Sequence, residues 1–400
     1  MSEKKLVILG AGKLGKGYMV NMAKKAGYKP IFLARRQEQV DFLRKQGYYT
    51  VYVTHEDGSG IEEEIRSGFE IYCIHGEERE QCLQILEKES MVMLPIYANG
   101  FEEAAKLLGE AIIRRAALPD AGYFNAVFVV NYTGADKVFN EAIRKMLTTP
   151  EQIAYFEKYV GLVTAIAQCG GFAPTAEQYE KDPESFSASD YDDLPIDADT
   201  FKGEVPLELG LRPLNKMDAR AKAKVWTSNM NGGAIGGMGK YKGYVMYGEA
   251  TDDPAVMEFA ARCMDEAMYG VEFGLGLNKE EYEAGQRRKI KLVPGAKKRV
   301  TIDVIDRQLF GLIRKLGREE RFLGPALGCM LNGRLPYNLA KAAAYAFRFD
   351  NPKDPDSVAV LAYVAENGIE AAVYQYCGLD KSQPLEKMLA ELICGLYQDM

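Results

Sequence analysis

The sequence reads as an α/β protein, with a doubly wound parallel sheet in the N-terminal half and a mainly α-helical C-terminal domain after it. Three observations predict this. Over the first third of the chain, short apolar runs alternate with amphipathic stretches of helix length. A Gly-x-Gly-x-x-Gly turn, Gly10 to Gly15, separates the first strand from the first helix. Beyond Asn215 the apolar spacing is almost everywhere that of a helix.

Taken in order, Lys5–Leu9 reads as a strand buried on both faces, with a continuous apolar run from Leu6 to Leu9, and Lys13–Ala26 is the helix it feeds. Pro30–Leu33 is the next strand, followed by a helix over Gln37–Gln46. Tyr48–Val53, Glu70–Ile74 and Met91–Pro95 read as further strands, with helices over Glu77–Lys88 and Glu102–Arg115. Asn125–Val130 and Ala135–Met146 continue the rhythm, which implies a parallel sheet. Glu177–Thr200 holds nine acidic residues, one Lys and two Pro, and reads as an exposed border. The expected boundary therefore falls near residue 190, giving domains 1–190 and 191–400. In the second, Asp354 caps a helix with Pro355 in its first turn, Val358, Leu361 and Val364 line one face, and Gly378 stops it.

Composition narrows the function. At 47% apolar and 27% charged the chain has material for two cores, and a formal charge of −7 argues against a nucleic-acid-binding face. No apolar run approaches the roughly 20 residues of a membrane helix, and the N-terminus runs straight into a strand, so a cytoplasmic protein without a leader is expected. Seven cysteines, none in a Cys-x-x-Cys pair, are expected to be reduced thiols. With only His55 and His75 present, no metal site is expected. His55 sits in a turn-like His-Glu-Asp-Gly, and His75 ends a strand near the expected cofactor.

The glycine turn carries the first chemistry. Gly10 permits the tight turn, Gly12 lets backbone approach a pyrophosphate, and Gly15 lets the helix pack on the strand; Lys13 and Leu14 open the helix, whose unpaired N–H groups face an anion. The first domain is thereby Rossmann-type. An NAD-selecting carboxylate belongs about 20 residues further on, at the end of the second strand. Arg35 and Arg36 stand there instead, and paired guanidinium groups suit a 2′-phosphate. The expected cofactor is NADP(H) in preference to NAD(H).

A second constellation opens the helical domain. From Lys224 through Asn229, Gly232 and Gly239 to Gly243 and Tyr244, it places a lysine and amides in a glycine-rich helix. At roughly 100° per residue, Lys224 and Asn229 do not share a face of a continuous helix, so either the helix breaks or it is contacted on two sides. Here the chain resembles the polyol-specific long-chain dehydrogenases, most closely the mannitol-1-phosphate 5-dehydrogenase branch. Lys224, Asn229, Gly239, Gly243 and Tyr244 fall in register with that family, as does the approach from Tyr191 to Gly203. Arg314-Lys315-Leu316, Arg321 and Gly324-Pro325-Ala326 look like that branch's further signature, and Asn131 matches an asparagine after a sheet strand. The resemblance runs from Gly10 to about Asp380. The chain departs from it at three places: Gly232 stands at the family's histidine, Arg35 at its acidic residue, and the segment from Val160 to Pro174 lacks an Asp-Arg pair.

The resemblance implies hydride transfer between a nicotinamide and a phosphorylated polyol or ketose, with no metal. Lys224 would be the base, its pKa lowered by burial and by a neighbouring cation such as Lys222, with Asn229 and Asn131 as donors to the reacting oxygen. Arg314, Lys315 and Arg321 would hold a substrate phosphate or carboxylate. A hexuronate reductase and a catalytically weak, NADP-binding sensor are the alternatives, and the expected state is a monomer or homodimer.

Overall fold

The computed structural model describes residues 3–130, 132, 134–169, 171–294 and 303–400. Two compact units emerge: Met1–Met217 with Arg287–Lys298, and Asp218–Gln286 with Arg299–Met400.

The first unit is built around β1 (Lys5–Leu9). Its alternate residues feed two cores, Leu6 and Ile8 on one face of the sheet, Val7 and Leu9 on the other. β2 (Lys29–Ala34), β5 (Glu70–Cys73), β6 (Met91–Leu94), β7 (Phe124–Phe128) and β8 (Val160–Thr164) complete a parallel sheet in the order β5-β2-β1-β6-β7-β8. The strand order turns back at β1, and the crevice beyond the carboxyl ends of β1 and β6 is where such sheets receive a dinucleotide. Helices α1 (Val20–Ala26, continuing a turn from Gly15), α2 (Gln37–Gln46), α3 (Arg79–Lys88) and α4 (Phe101–Ala116) provide the early crossovers.

Two expectations need correction. β3 (Tyr48–Thr54) is outside the parallel sheet: it pairs antiparallel with β4 (Ile61–Ser67), a strand the sequence reading missed. Glu62, Glu63 and Glu64 make β4 too charged to read as a strand, and that charge suits a sheet edge. The acidic stretch 177–200 is likewise no exposed border. It contains β10 (Phe186–Ser189), parallel to β3, and β11 (Leu194–Asp197), with Phe186, Tyr191 and Leu194 buried. Three of its carboxylates find partners within the unit. Asp182 accepts from Thr50 N–H at 2.7 Å, Asp193 pairs with Arg212 at 2.7 Å, and Glu184 pairs with the buried Lys16. Because β11 pairs with β12 (Leu211–Leu214), the first unit extends to Met217 rather than ending near residue 190.

The chain also returns to the first unit at Arg287–Lys298. Arg287 reaches Glu56 at 2.6 Å and lies over the Tyr191 ring at 4.2 Å. The Arg288 N–H donates to Tyr191 Oη at 2.7 Å and its side chain meets Asp193 at 3.2 Å, while Val293 N–H donates to the Asp57 carbonyl.

The second unit is helical, with α8 (Met217–Lys224) and α9 (Met230–Tyr241) among the first of its helices and a core that includes Met230, Phe322, Leu323 and Phe347. The helix from Pro355 to Cys377 starts and stops where expected: Asp354 accepts from Asp356 N–H, and Gly378 ends it at φ 61°. A break at Gly368, φ 81°, interrupts it.

Candidate active site

In the first unit the glycine turn is shaped by close approaches. Gly10 has φ 126°, and a Cβ there would lie 3.0 Å from Ile96 Cγ2. A Cβ on Gly15 would fall 2.2 Å from the Gly10 carbonyl oxygen, so only glycine fits. Gly12 has nothing within 4 Å of its absent side chain, which leaves its backbone open to a ligand. Lys13 and Leu14 form the first helical turn. These residues fit the pyrophosphate of a dinucleotide, and the donors they offer are the unpaired N–H groups of that turn.

Around the turn lies a group the sequence reading did not single out. Gln39 donates from Nε2 to the Ala11 carbonyl at 3.1 Å and to Glu184 Oε2 at 2.8 Å. Lys16 donates to the Glu184 carbonyl at 2.9 Å, and burial lowers its pKa. The long-range pairing of β3 with β10, and the bond from Thr50 N–H to Asp182, bring Glu184 here, so no local signal marks it.

Arg35 and Arg36 follow β2, as expected, and both are exposed. Arg35 is not idle. Its Nε lies 2.9 Å from Glu103 Oε2, and the other oxygen of that carboxylate is 2.7 Å from His75 Nε2.

In the second unit, the spacing of Lys224 and Asn229 is resolved by the backbone. Between α8 and α9, Val225–Asn229 form a π-helical turn in which Met230 N–H donates to the Val225 carbonyl, five residues back. One extra residue in the turn lets positions five apart lie over each other as positions four apart do in an α-helix. Lys224 and Asn229 thus come to one side. Thr227, fully buried, sustains the turn: Oγ1 donates to the Ala223 carbonyl at 2.6 Å and accepts from Tyr282 Oη at 3.0 Å.

Lys224 is half-buried, and burial lowers its pKa. The expected help from Lys222 is absent, because that side chain pairs with Glu319 at 2.9 Å. Next along the face, Gly232 is covered by Gln308: a Cβ at Gly232 would meet Gln308 Oε1 at 2.7 Å, and one at Gly236 would meet Gln308 Cβ at 2.5 Å. Where the resemblance puts a histidine, the side chain of Gln308 fills the space.

The basic block divides. Lys315 is buried and donates to the Gln308 carbonyl at 2.9 Å and to the Arg307 carbonyl at 3.3 Å. Burial, with Arg321 and Arg314 nearby, brings its pKa down to about 7. Arg321 is also buried, beside Glu320, with a long contact of 3.5 Å to the Asn229 carbonyl. Arg314 is 63% exposed and paired with Glu320. Lys224, Asn229, Lys315 and Arg321 therefore belong to one neighbourhood, and Arg314 stands at its surface. Asn131 lies outside the described residues.

Among the described residues no helix is long and apolar enough to cross a membrane. A family model for the mannitol dehydrogenase Rossmann domain matches residues 4–208. The chain is 24% identical to mannitol-1-phosphate 5-dehydrogenase of Geobacillus stearothermophilus, over 95% of this chain and 96% of that one. It is also 24% identical to the enzyme of that name from Bacillus subtilis, over 95% and 97%. The structure of Pseudomonas fluorescens mannitol 2-dehydrogenase in ternary complex with NAD and D-mannitol superposes with a TM-score of 0.67 at 13% identity, covering 99% of this chain and 92% of the other. A substrate-free D-sorbitol dehydrogenase gives 0.69 at 14% identity, over 99% and 93%. Those two likenesses speak for the fold, and the family match speaks for descent. The chain belongs to the mannitol dehydrogenase family, and it is an oxidoreductase built on a Rossmann domain that takes a nicotinamide cofactor.

Proposed function

We propose that this oxidoreductase interconverts a phosphorylated polyol and its ketose, in the manner of a mannitol-1-phosphate 5-dehydrogenase, and prefers NADP(H) to NAD(H). The observation that carries the reading is the π-helical turn, which aligns a partly desolvated amine with an amide on one helix face. A bound nicotinamide supplies the hydride acceptor in one direction and the donor in the other.

The rest falls to this chain's own residues. In oxidation, the neutral Lys224 amine takes the proton of the substrate hydroxyl while Asn229 donates to the same oxygen as charge develops. In reduction, the Lys224 ammonium returns that proton. A lowered pKa serves both directions, since it narrows the gap between the amine and the working pH. Arg321 and Lys315, turned inward, hold the substrate's anionic group. The pair of arginines after β2 supports the preference for NADP(H).

Lys224→Met tests the assignment, because it keeps most of the volume and deletes the amine. Against fructose 6-phosphate and NADPH, kcat is expected to fall by about 10²–10⁴-fold with NADPH affinity retained. Normal turnover by the variant would move the base elsewhere. A wild-type protein that turns over neither ketose phosphates nor hexuronates would leave the sensor reading in its place.

A further inference from the structure

Arg35 leaves the end of β2, and His75 follows the end of β5, the neighbouring strand. Their side chains converge on one carboxylate, that of Glu103 in the first turn of α4. Glu103 Oε2 is 2.9 Å from Arg35 Nε, and Oε1 is 2.7 Å from His75 Nε2. The carboxylate is only 30% exposed, and the guanidinium runs past the backbone at Gly100, where a Cβ would lie 3.6 Å from it. This is the corner of the fold that meets the ribose of an adenine dinucleotide. An anion native to the chain already occupies the cation that a 2′-phosphate would seek.

We propose that Glu103 is the specificity-determining residue of this corner: a tethered anion that competes with the 2′-phosphate for Arg35 and His75. This rests on the reading of the glycine turn as a dinucleotide site. A 2′-phosphate has two ways to bind. It displaces Glu103 from Arg35, and its affinity drops by the fraction of molecules in which Arg35 is free. Otherwise it enters beside Glu103, and two anions share the Arg35 guanidinium at a cost in repulsion. A 2′-hydroxyl meets neither obstacle, since a hydroxyl donates to a carboxylate. Glu103 thus holds back NADP(H) and leaves NAD(H) alone, so the selectivity of the protein falls short of what the two arginines alone would give.

Glu103→Gln keeps the shape and removes the charge. Affinities for NADPH and NADH, measured by fluorescence titration at low ionic strength, read the effect without turnover. The variant is expected to bind NADPH about fivefold or more tightly than the wild type, with NADH unchanged or weaker. In the double variant Glu103→Gln, Arg35→Ala the gain is expected to vanish, because the liberated cation is gone. Unchanged affinity for NADPH, or equal tightening for both cofactors, would overturn the role of Glu103. Binding of neither cofactor by the wild type would instead overturn the dinucleotide reading, and the two failures are distinguishable. A thermal midpoint close to that of the wild type establishes that Glu103→Gln is folded.

Discussion

Burial separates Lys315 from Arg314, its neighbour in the chain. Both are cations in one short basic run, yet one is turned in among backbone carbonyls and the other is outside on Glu320. Composition alone does not distinguish them, because burial depends on which way a short helix is rotated. The position has a consequence for stability. With a folded pKa of about 7, Lys315 binds its proton more weakly than in the unfolded chain, where the value is near 10.5. Between those values the unfolded state holds more protons, so this residue makes stability rise with pH from about 7 to 10.5, and the penalty is fully present below pH 7. Lys315→Met is expected to abolish that rise, so the variant's thermal midpoint relative to the wild type is higher at pH 6.5 than at pH 9.5. A parallel shift at both pH values would show that the amine is not held as described. Other single residues were legible for a clear reason. Gly10 and Gly15 announce themselves, the first by its backbone angle of φ 126° and the second by the close approach of the Gly10 carbonyl. The covering of Gly232 by Gln308 did not, since an empty position says nothing of what fills it from a distant stretch of chain.

At the level of elements, strong periodicity carried the reading. The helix over Gln37–Gln46 was expected with the limits it has, and the strand over Lys5–Leu9 likewise. What periodicity misses is a change of period. The turn at Val225–Asn229 has π-helical bonding, as does Gly15–Met19 beside the glycine turn, so each candidate site carries one. The mismatch of Lys224 and Asn229 with an α-helical face was the one visible symptom. Thr227 is the side chain on which the second of these turns depends. Thr227→Val preserves the shape but removes the hydroxyl, leaving Tyr282 Oη without its acceptor and the Ala223 carbonyl without its donor. The expected loss is about 1–3 kcal/mol, read by denaturant unfolding. A fall in kcat larger than any change in NADPH affinity is expected alongside, since the turn aligns Lys224 with Asn229 and lies in the other unit from the glycine turn. Unaltered stability would mean that the turn is held by its surroundings and not by Thr227.

For the molecule as a whole, the two-part plan and the parallel sheet were legible, while the limits of the parts were not. The acidic stretch 177–200 reads as solvent-facing only if its partners are invisible, and Lys16, Thr50 and Arg212 all come from elsewhere in the first unit. The return of Arg287–Lys298 to that unit has no local signature either. Replacing Arg287 and Arg288 together by Ala removes the pairs to Glu56 and Asp193 and the contact over Tyr191. Partly exposed pairs of this kind contribute about 1 kcal/mol in total, so a midpoint lower by roughly 2–4 °C is expected in calorimetry. No change would relegate the returning segment to a passive strap. Its path also sets an order of events during synthesis. When Met217 leaves the ribosome, the sheet and the glycine turn are already made, yet Glu56, Tyr191 and Asp193 still lack Arg287 and Arg288. The helices from Asp218 to Gln286 must emerge first, which takes several seconds at about 5–20 residues per second. A nascent chain therefore carries an unfinished nucleotide-binding unit through that interval, and a ribosome stalled between Met217 and Arg287 would hold it there.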